Sequence, residues 1–174
     1  MSTRDELLRL LEPPAEKWVP PAPDEIVHAY GTPLPADFLW LMETYGPGLI
    51  SDYLGILAPV RASEVGETFG VLSTAAIEQE GLEGIEPEYL VQGGLVLWGY
   101  TPDGDNAFWS TTGEPDEWRV VTFRRHHGPR EPAVTRFDCG IVEFLVRTFQ
   151  GSLPHNPLSG TDLWGNASPT FCRD

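Results

Sequence analysis

Residues 95–123 read LVLWGYTPDGDNAFWSTTGEPDEWRVVTF, and the reading of this stretch decides the fold. Apolar residues alternate through three short runs, at 95–100, 106–111 and 118–123, the period-two pattern of half-buried strands. Between the runs, Thr101-Pro102-Asp103-Gly104-Asp105 and Thr112-Gly113-Glu114-Pro115-Asp116-Glu117 supply the Pro, Gly and Asp chemistry that reverses a chain. The pattern predicts an antiparallel meander with acidic turns. No nucleophile-plus-base pair or ligand cluster lies on it, so it reads as a surface for holding something.

Working outward, residues 3–6 fit a capping box, with Thr3 as cap and Glu6 reaching back. Leu7, Leu8, Leu10 and Leu11 then make a short amphipathic helix that Pro13-Pro14 stops. Five prolines around Trp18 make residues 13–23 an extended connector, with Trp18 as its anchor. A second helix spans 23–30, with Pro23 in its first turn and Gly31 at its C-cap. A third opens near Asp37, with Phe38, Leu41, Met42 and Tyr45 on one stripe, and ends at Gly46-Pro47-Gly48. Trp40 points off that stripe, either toward another element or outward as a contact residue.

Residues 50–57 read as one strand, 62–77 as a helix weakened by Gly66 and Gly70, and 78–88 as an acidic connector. After the meander come a basic loop at 124–131, a strand at 133–137 and a helix at 138–149, closed by Gly151. That helix carries Ile141, Phe144, Leu145 and Thr148 or Phe149 on one face. Residues 152–174 form an irregular arm, ordered only if Leu153, Leu158, Trp164 and Phe171 find apolar ground. Helices, then a sheet, then a closing helix predict an α+β fold, with a mainly antiparallel sheet flanked by helices. The expected organisation is one domain over 1–151, its core at about 25–151, with the helix and connector 1–24 before it and the arm 152–174 after it.

A chain of 174 residues, 41% hydrophobic, can bury one core. No apolar run approaches the ~20 residues of a membrane helix, and the acids among the first leucines are unlike a signal peptide. Cys139 and Cys172 lie too far apart in sequence to suggest a disulfide framework or a zinc site, so a reducing cytoplasm is expected. Net charge is −15, unevenly spread: residues 64–117 hold twelve acids and no Lys or Arg. Residues 119–147 reverse this, with six arginines against Glu131, Asp138 and Glu143. Such a field repels nucleic acid and attracts a basic protein, although acidity also simply keeps a protein soluble.

The chemical motifs favour no catalyst. There is no G-x-S-x-G elbow, no phosphate-cradling glycine motif, and Lys17 is the only lysine. Asp103-Gly104-Asp105-Asn106 starts like a calcium loop, but Ala107 and Phe108 stand where the third donor and the glycine belong, so a plain hairpin turn is expected. His126-His127 sit among arginines, which disfavours a metal ion; a solvated loop is the expectation. Cys139 opens an amphipathic helix as a small apolar group. No enzymatic role, metal or cofactor is expected.

Two segments carry a resemblance. EIVHAYGTPLPADFLWLMETYGPG at 25–48 places a Gly and then Leu-Pro-x-Asp-Phe between two helices. GGLVLWGYTPDGDNAFWSTTGEPDEWRVVTF at 93–123 has Trp-Gly, Asp-Gly-Asp, a hairpin Trp and Gly-x-Pro-x-x-Trp, and FDCGIVEFLVRTFQG follows as a closing helix. Together they resemble the SUKH superfamily, the Smi/Knr-like proteins, over about 25–151. The resemblance implies an α+β domain without a shared catalytic site. Its bacterial members are similar to immunity proteins of polymorphic toxin systems, often against nucleases, and its fungal members to regulatory scaffolds.

The function expected is therefore a cytoplasmic, non-catalytic binding module that docks an acidic face over a basic toxin domain. The alternative is a scaffold for a cellular protein. The candidate contact residues are Asp103, Asp105, Glu114, Asp116 and Glu117, with Trp40 and Trp109 as aromatic anchors. Trp98 and Trp118 are expected in the core, whereas parity alone does not place Trp109.

Overall fold

The computed structural model describes residues 1–59, 71–78 and 82–173. The fold is α+β: four helices and a mostly antiparallel eight-stranded sheet in the order β7-β6-β5-β4-β2-β1-β8. The meander forms its middle as β4 (Leu95–Tyr100), β5 (Asn106–Ser110) and β6 (Arg119–Phe123). β7 (Val134–Arg136) adds to β6. On the other side of β4, β2 (Leu54–Ile56) pairs at Gly99 and Tyr100 while β3 (Ser73–Ala75) pairs at Leu95–Leu97.

Residues 50–57 are a hairpin and not one strand. β1 (Gly48–Ile50) turns into β2 through Ser51 and Asp52, both in the left-handed region at φ 51° and 52°. Short polar side chains tolerate that conformation, so the turn needs no glycine. The helix expected at 62–77 gives way to β3 at its described end, where β4 offers an unpaired edge; residues 60–70 lie outside the described residues.

The helices fall close to expectation. α1 (Thr3–Leu10) is capped one residue earlier than expected, by Ser2 and Asp5. Glu6 instead accepts from Gln150 Nε2 at 2.6 Å, tying α1 to the last helix. α2 (Pro23–Tyr30) ends at Gly31, φ 72°. α3 (Ala36–Thr44) buries Phe38, Leu41 and Met42, with Tyr45 just beyond them. α4 (Ile141–Phe149) is buried nearly all round, with α1 and α3 against it.

One large core fills the space between these helices and the sheet, and it closes around Trp109. The Trp109 ring meets Phe38 of α3 at 4.8 Å, edge on, Trp98 at 6.1 Å and Trp118 at 6.2 Å. Trp98 and Trp118 are buried as expected. A smaller cluster on the opposite face packs Ile77 and Tyr89 over Leu95, Phe108 and Val121. A bulge lies between the two faces: Trp98 and Gly99 together oppose Ala107.

The C-terminal arm is built into the body. Leu153, Leu158 and Leu163 are buried, and Trp164 and Phe171 pack against the main core. β8 (Phe171–Cys172) pairs with β1. Arg173 then donates to the carbonyls of Tyr45 and Glu16, which fastens the Pro-rich connector. Trp18 of that connector lies on Gly46, where a Cβ would come within 2.7 Å of it.

Replacing the central ring, Trp109→Ala, removes contacts to three elements at once. It is expected to destabilise the protein by ~3–5 kcal/mol, read as a lowered urea midpoint with an unchanged slope.

Candidate partner-binding surface

The two acidic turns lie at opposite ends of β5. β5 lies between them, and five residues at ~3.4 Å each put the turns about 17 Å apart, at opposite ends of the sheet. The acids from Asp103 to Glu117 thus fall into two clusters, one at each end of that strand.

At the β4–β5 end, Asp105 is 0% exposed. Its carboxylate accepts from Thr101 Oγ1 (2.9 Å), the Arg125 backbone N–H (2.9 Å), the Ser159 N–H (2.8 Å) and the Ser159 hydroxyl. Tyr53 Oη lies 3.4 Å away and donates at 2.8 Å to Asp103, while the Gly160 N–H donates to Tyr53 Oη. Burial pushes the Asp105 pKa up, but the donors from Ser159, Arg125 and Thr101 outweigh it and hold the carboxyl below its ordinary value. Asp105 is thus a buried clasp and no contact residue. Asp103 is exposed, with one oxygen engaged by Tyr53.

At the β5–β6 end the acids divide their roles. α3 begins after Pro35, which has no capping side chain, and the Ala36 N–H donates instead to Asp116 Oδ1 at 2.7 Å. α4 begins after Gly140, equally bare, and Asp37 of α3 accepts from the Val142 N–H. A Cβ on Gly140 would sit 2.4 Å from that carboxylate, so the residue there must be small. Burial raises the Asp37 pKa against the opposing N–H donors of Val142, Phe38 and Ile141, and the Asp116 charge adds to the rise. Glu117 accepts from the Glu114 N–H and braces its own turn. Glu114 is exposed, and among the described residues its carboxylate holds none of the fold's hydrogen bonds or ion pairs.

The aromatic anchors move inward. Trp109 is 0% exposed at the centre of the core, so it presents nothing to a partner. Trp40 is half-buried, edge-on to Tyr45 at 6.4 Å, and the Arg4 guanidinium lies over its ring at 5.2 Å. The chain's own arginine therefore occupies Trp40.

Two recesses flank the β5–β6 turn, with Trp118 lining both. The larger runs between the starts of α1, α3 and α4 and holds Arg4, Asp37, Asp116 and Glu143. The smaller lies between the end of α2 and the turn, lined by Gly31, Thr32, Thr74, Thr111 and Gly113 among others. Trp118 donates its indole N–H to the Gly113 carbonyl at 3.2 Å, which fixes the ring between them. This end of the sheet is the candidate surface.

Elsewhere, His126 and His127 are exposed on the basic loop, and Arg124 pairs with Glu131 at 3.4 Å. Among the described residues, no group of three or more His, Cys, Asp or Glu side chains is placed to hold a metal ion. No helix among them is long and apolar enough to cross a membrane. Burial pushes the Cys139 thiol up to about 11, with Glu143 adding to the rise. The sequence reading missed Asp37, Tyr53 and Ser159, whose roles depend on contacts across 105, 50 and 54 residues. One local signal existed for Asp37: helix starts at Pro35 and Gly140 without a capping side chain call for an acceptor from elsewhere.

No family model, curated protein or solved structure matches this chain.

Asp105→Ala strands several buried donors and is expected to cost about 3 kcal/mol at neutral pH. Because the native pKa is lowered, the carboxylate's contribution is full above the unfolded value of ~3.9 and fades as pH falls through the native one. The gap between urea melts of wild type and variant should therefore narrow as the pH is lowered below ~3.9.

Proposed function

We propose that this protein is a non-catalytic binding module of the cytoplasm, an immunity protein that neutralises a basic, nuclease-type toxin domain. The observation that carries the reading is the β5–β6 turn. Asp116 and Glu117 brace it with one hydrogen bond each, and they and Glu114 are exposed beside two recesses. A turn fixed in advance loses little entropy on docking, and a net charge of −15 draws a basic partner toward it. The SUKH-like segments support the same reading, because an α+β domain is what that resemblance implies.

The contact set is smaller than the sequence suggested. Asp103 and Glu114 stand exposed at opposite ends of the sheet, and Asp116 and Glu117 contribute only what their structural bonds leave over. A partner at the β5–β6 end therefore meets Glu114 together with the exposed sides of Asp116 and Glu117. Wider burial around it would come from the recess walls.

The test begins with capture of a partner from native lysate at low and high salt, followed by expression of that partner alone. A basic partner that is toxic alone and rescued by co-expression establishes the reading; a non-toxic one favours a Smi/Knr-type scaffold. Charge reversal then locates the contact. Glu114→Lys is expected to slow association with the toxin several-fold at low salt, to flatten its salt dependence and to leave the melting temperature unchanged. An association rate equal to wild type would remove the β5–β6 turn from the interface.

A further inference from the structure

We propose that the smaller recess, between the C-terminal end of α2 and the β5–β6 turn, receives an arginine side chain of the partner protein. The inference rests on the protein-binding reading above and adds the chemistry of one contact. The recess encloses about 280 Å³, just under the ~300–1,000 Å³ of small-molecule pockets, so its size suits a single side chain. Its mouth is open: a Cβ built on Gly31 or Gly93 would meet nothing within 4 Å.

The lining mixes apolar Leu34 and Val96 with hydroxyl and carbonyl oxygens. α2 points its C-terminal end into this region, and the last carbonyls of a helix carry partial negative charge. Thr32 and Thr111 add hydroxyl oxygens, Thr111 donating its proton to the Gly93 carbonyl and leaving its oxygen to accept, while the Thr74 hydroxyl already accepts from Gln92 at 3.2 Å. The lining contains no Lys, Arg or His. Trp118 supplies an indole wall of the kind on which a cation packs favourably. Glu114 follows Gly113 at the edge, and residues 64–117 carry no positive side chain.

The other side of Trp118 shows how this surface holds an arginine. There Arg4 lies over the Trp40 ring and donates to the Ala36 carbonyl, in a recess that also holds Asp37, Asp116 and Glu143. An aromatic ring and a backbone carbonyl make up that holder, with the carboxylates lining the recess around it. The smaller recess offers an aromatic ring and backbone and hydroxyl oxygens, with Glu114 next in the chain to Gly113 of its wall and no arginine of this chain in its lining. A planar guanidinium with five donors suits acceptors spread over several walls better than the point charge of lysine does.

The experiment titrates N-acetyl-arginine amide into ¹⁵N-labelled full chain, with N-acetyl-lysine amide as comparison. Expected are saturable shifts at the Trp118 indole and the Thr32, Thr111 and Gly93 amides, with arginine bound more tightly than lysine. Thr32→Trp, which fills the recess, should abolish them, and Thr111→Val should weaken them several-fold in a spectrum otherwise native. Shifts that spread over exposed carboxylates generally, that persist in both variants, or that are equal for lysine overturn the proposal. With the captured partner, Thr32→Trp should raise Kd about tenfold or more, as loss of a central anchor does. If Glu114→Lys slows association while Thr32→Trp leaves Kd unchanged, the arginine pocket fails and the binding-module reading stands.

Discussion

A buried carboxylate must be surrounded by donors or it costs more than a domain's margin of stability. Asp105 meets that constraint by collecting groups from separate parts of the chain. Thr101 comes from its own turn, Arg125 from the loop after β6 and Ser159 from the arm, with Tyr53 from the β1–β2 turn beside them. Loops that would otherwise be independent at this end of the sheet become one polar unit. The route of the arm follows from it: held at Ser159 and Gly160, it continues to β1, whose edge it covers as β8. Covering that edge removes a site for unwanted strand pairing.

The same chemistry, used at the other end of the sheet, explains why charge counted along the chain overstates the charge available to a partner. α3 and α4 start at residues that cannot cap themselves, and each borrows a carboxylate. Asp116 serves α3, and Asp37 within α3 serves α4, so the turn, the two helices and the sheet are registered to one another by two acids. Glu114, spared such duty, is left at the surface. The division between structural and presented carboxylates is what gives that end of the sheet both rigidity and a negative edge.

Much of this was legible in the chain. The meander and α3 follow from apolar spacing and α2 from its Pro23 and Gly31 ends, although both faces of the meander are covered and α4 is buried nearly all round. What escaped has particular causes. The bulge at Trp98 and Gly99 reverses parity within β4, so Trp98 and Tyr100 face opposite sides although two residues apart. Trp109 was unplaceable for want of that register. Ser51-Asp52 hid a turn because neither residue is a glycine, and β3 is set by the open edge of β4 and not by its own three residues. Asp105 looked like any turn acid, since the Ser159 that buries it is 54 residues away. The arm, lacking periodicity, is ordered by what it touches.

The reach of the arm also orders assembly in time. The meander closes through turns of a few residues, whereas Leu49 meets Cys172 and the Arg173 side chain meets Glu16 across 157 residues. Closing so long a loop costs more chain entropy than closing a hairpin, so the central strands come together first and the strap last. On a ribosome, β1 waits with a bare edge, and the Pro-rich connector without its arginine clamp, until residues 171–173 have emerged.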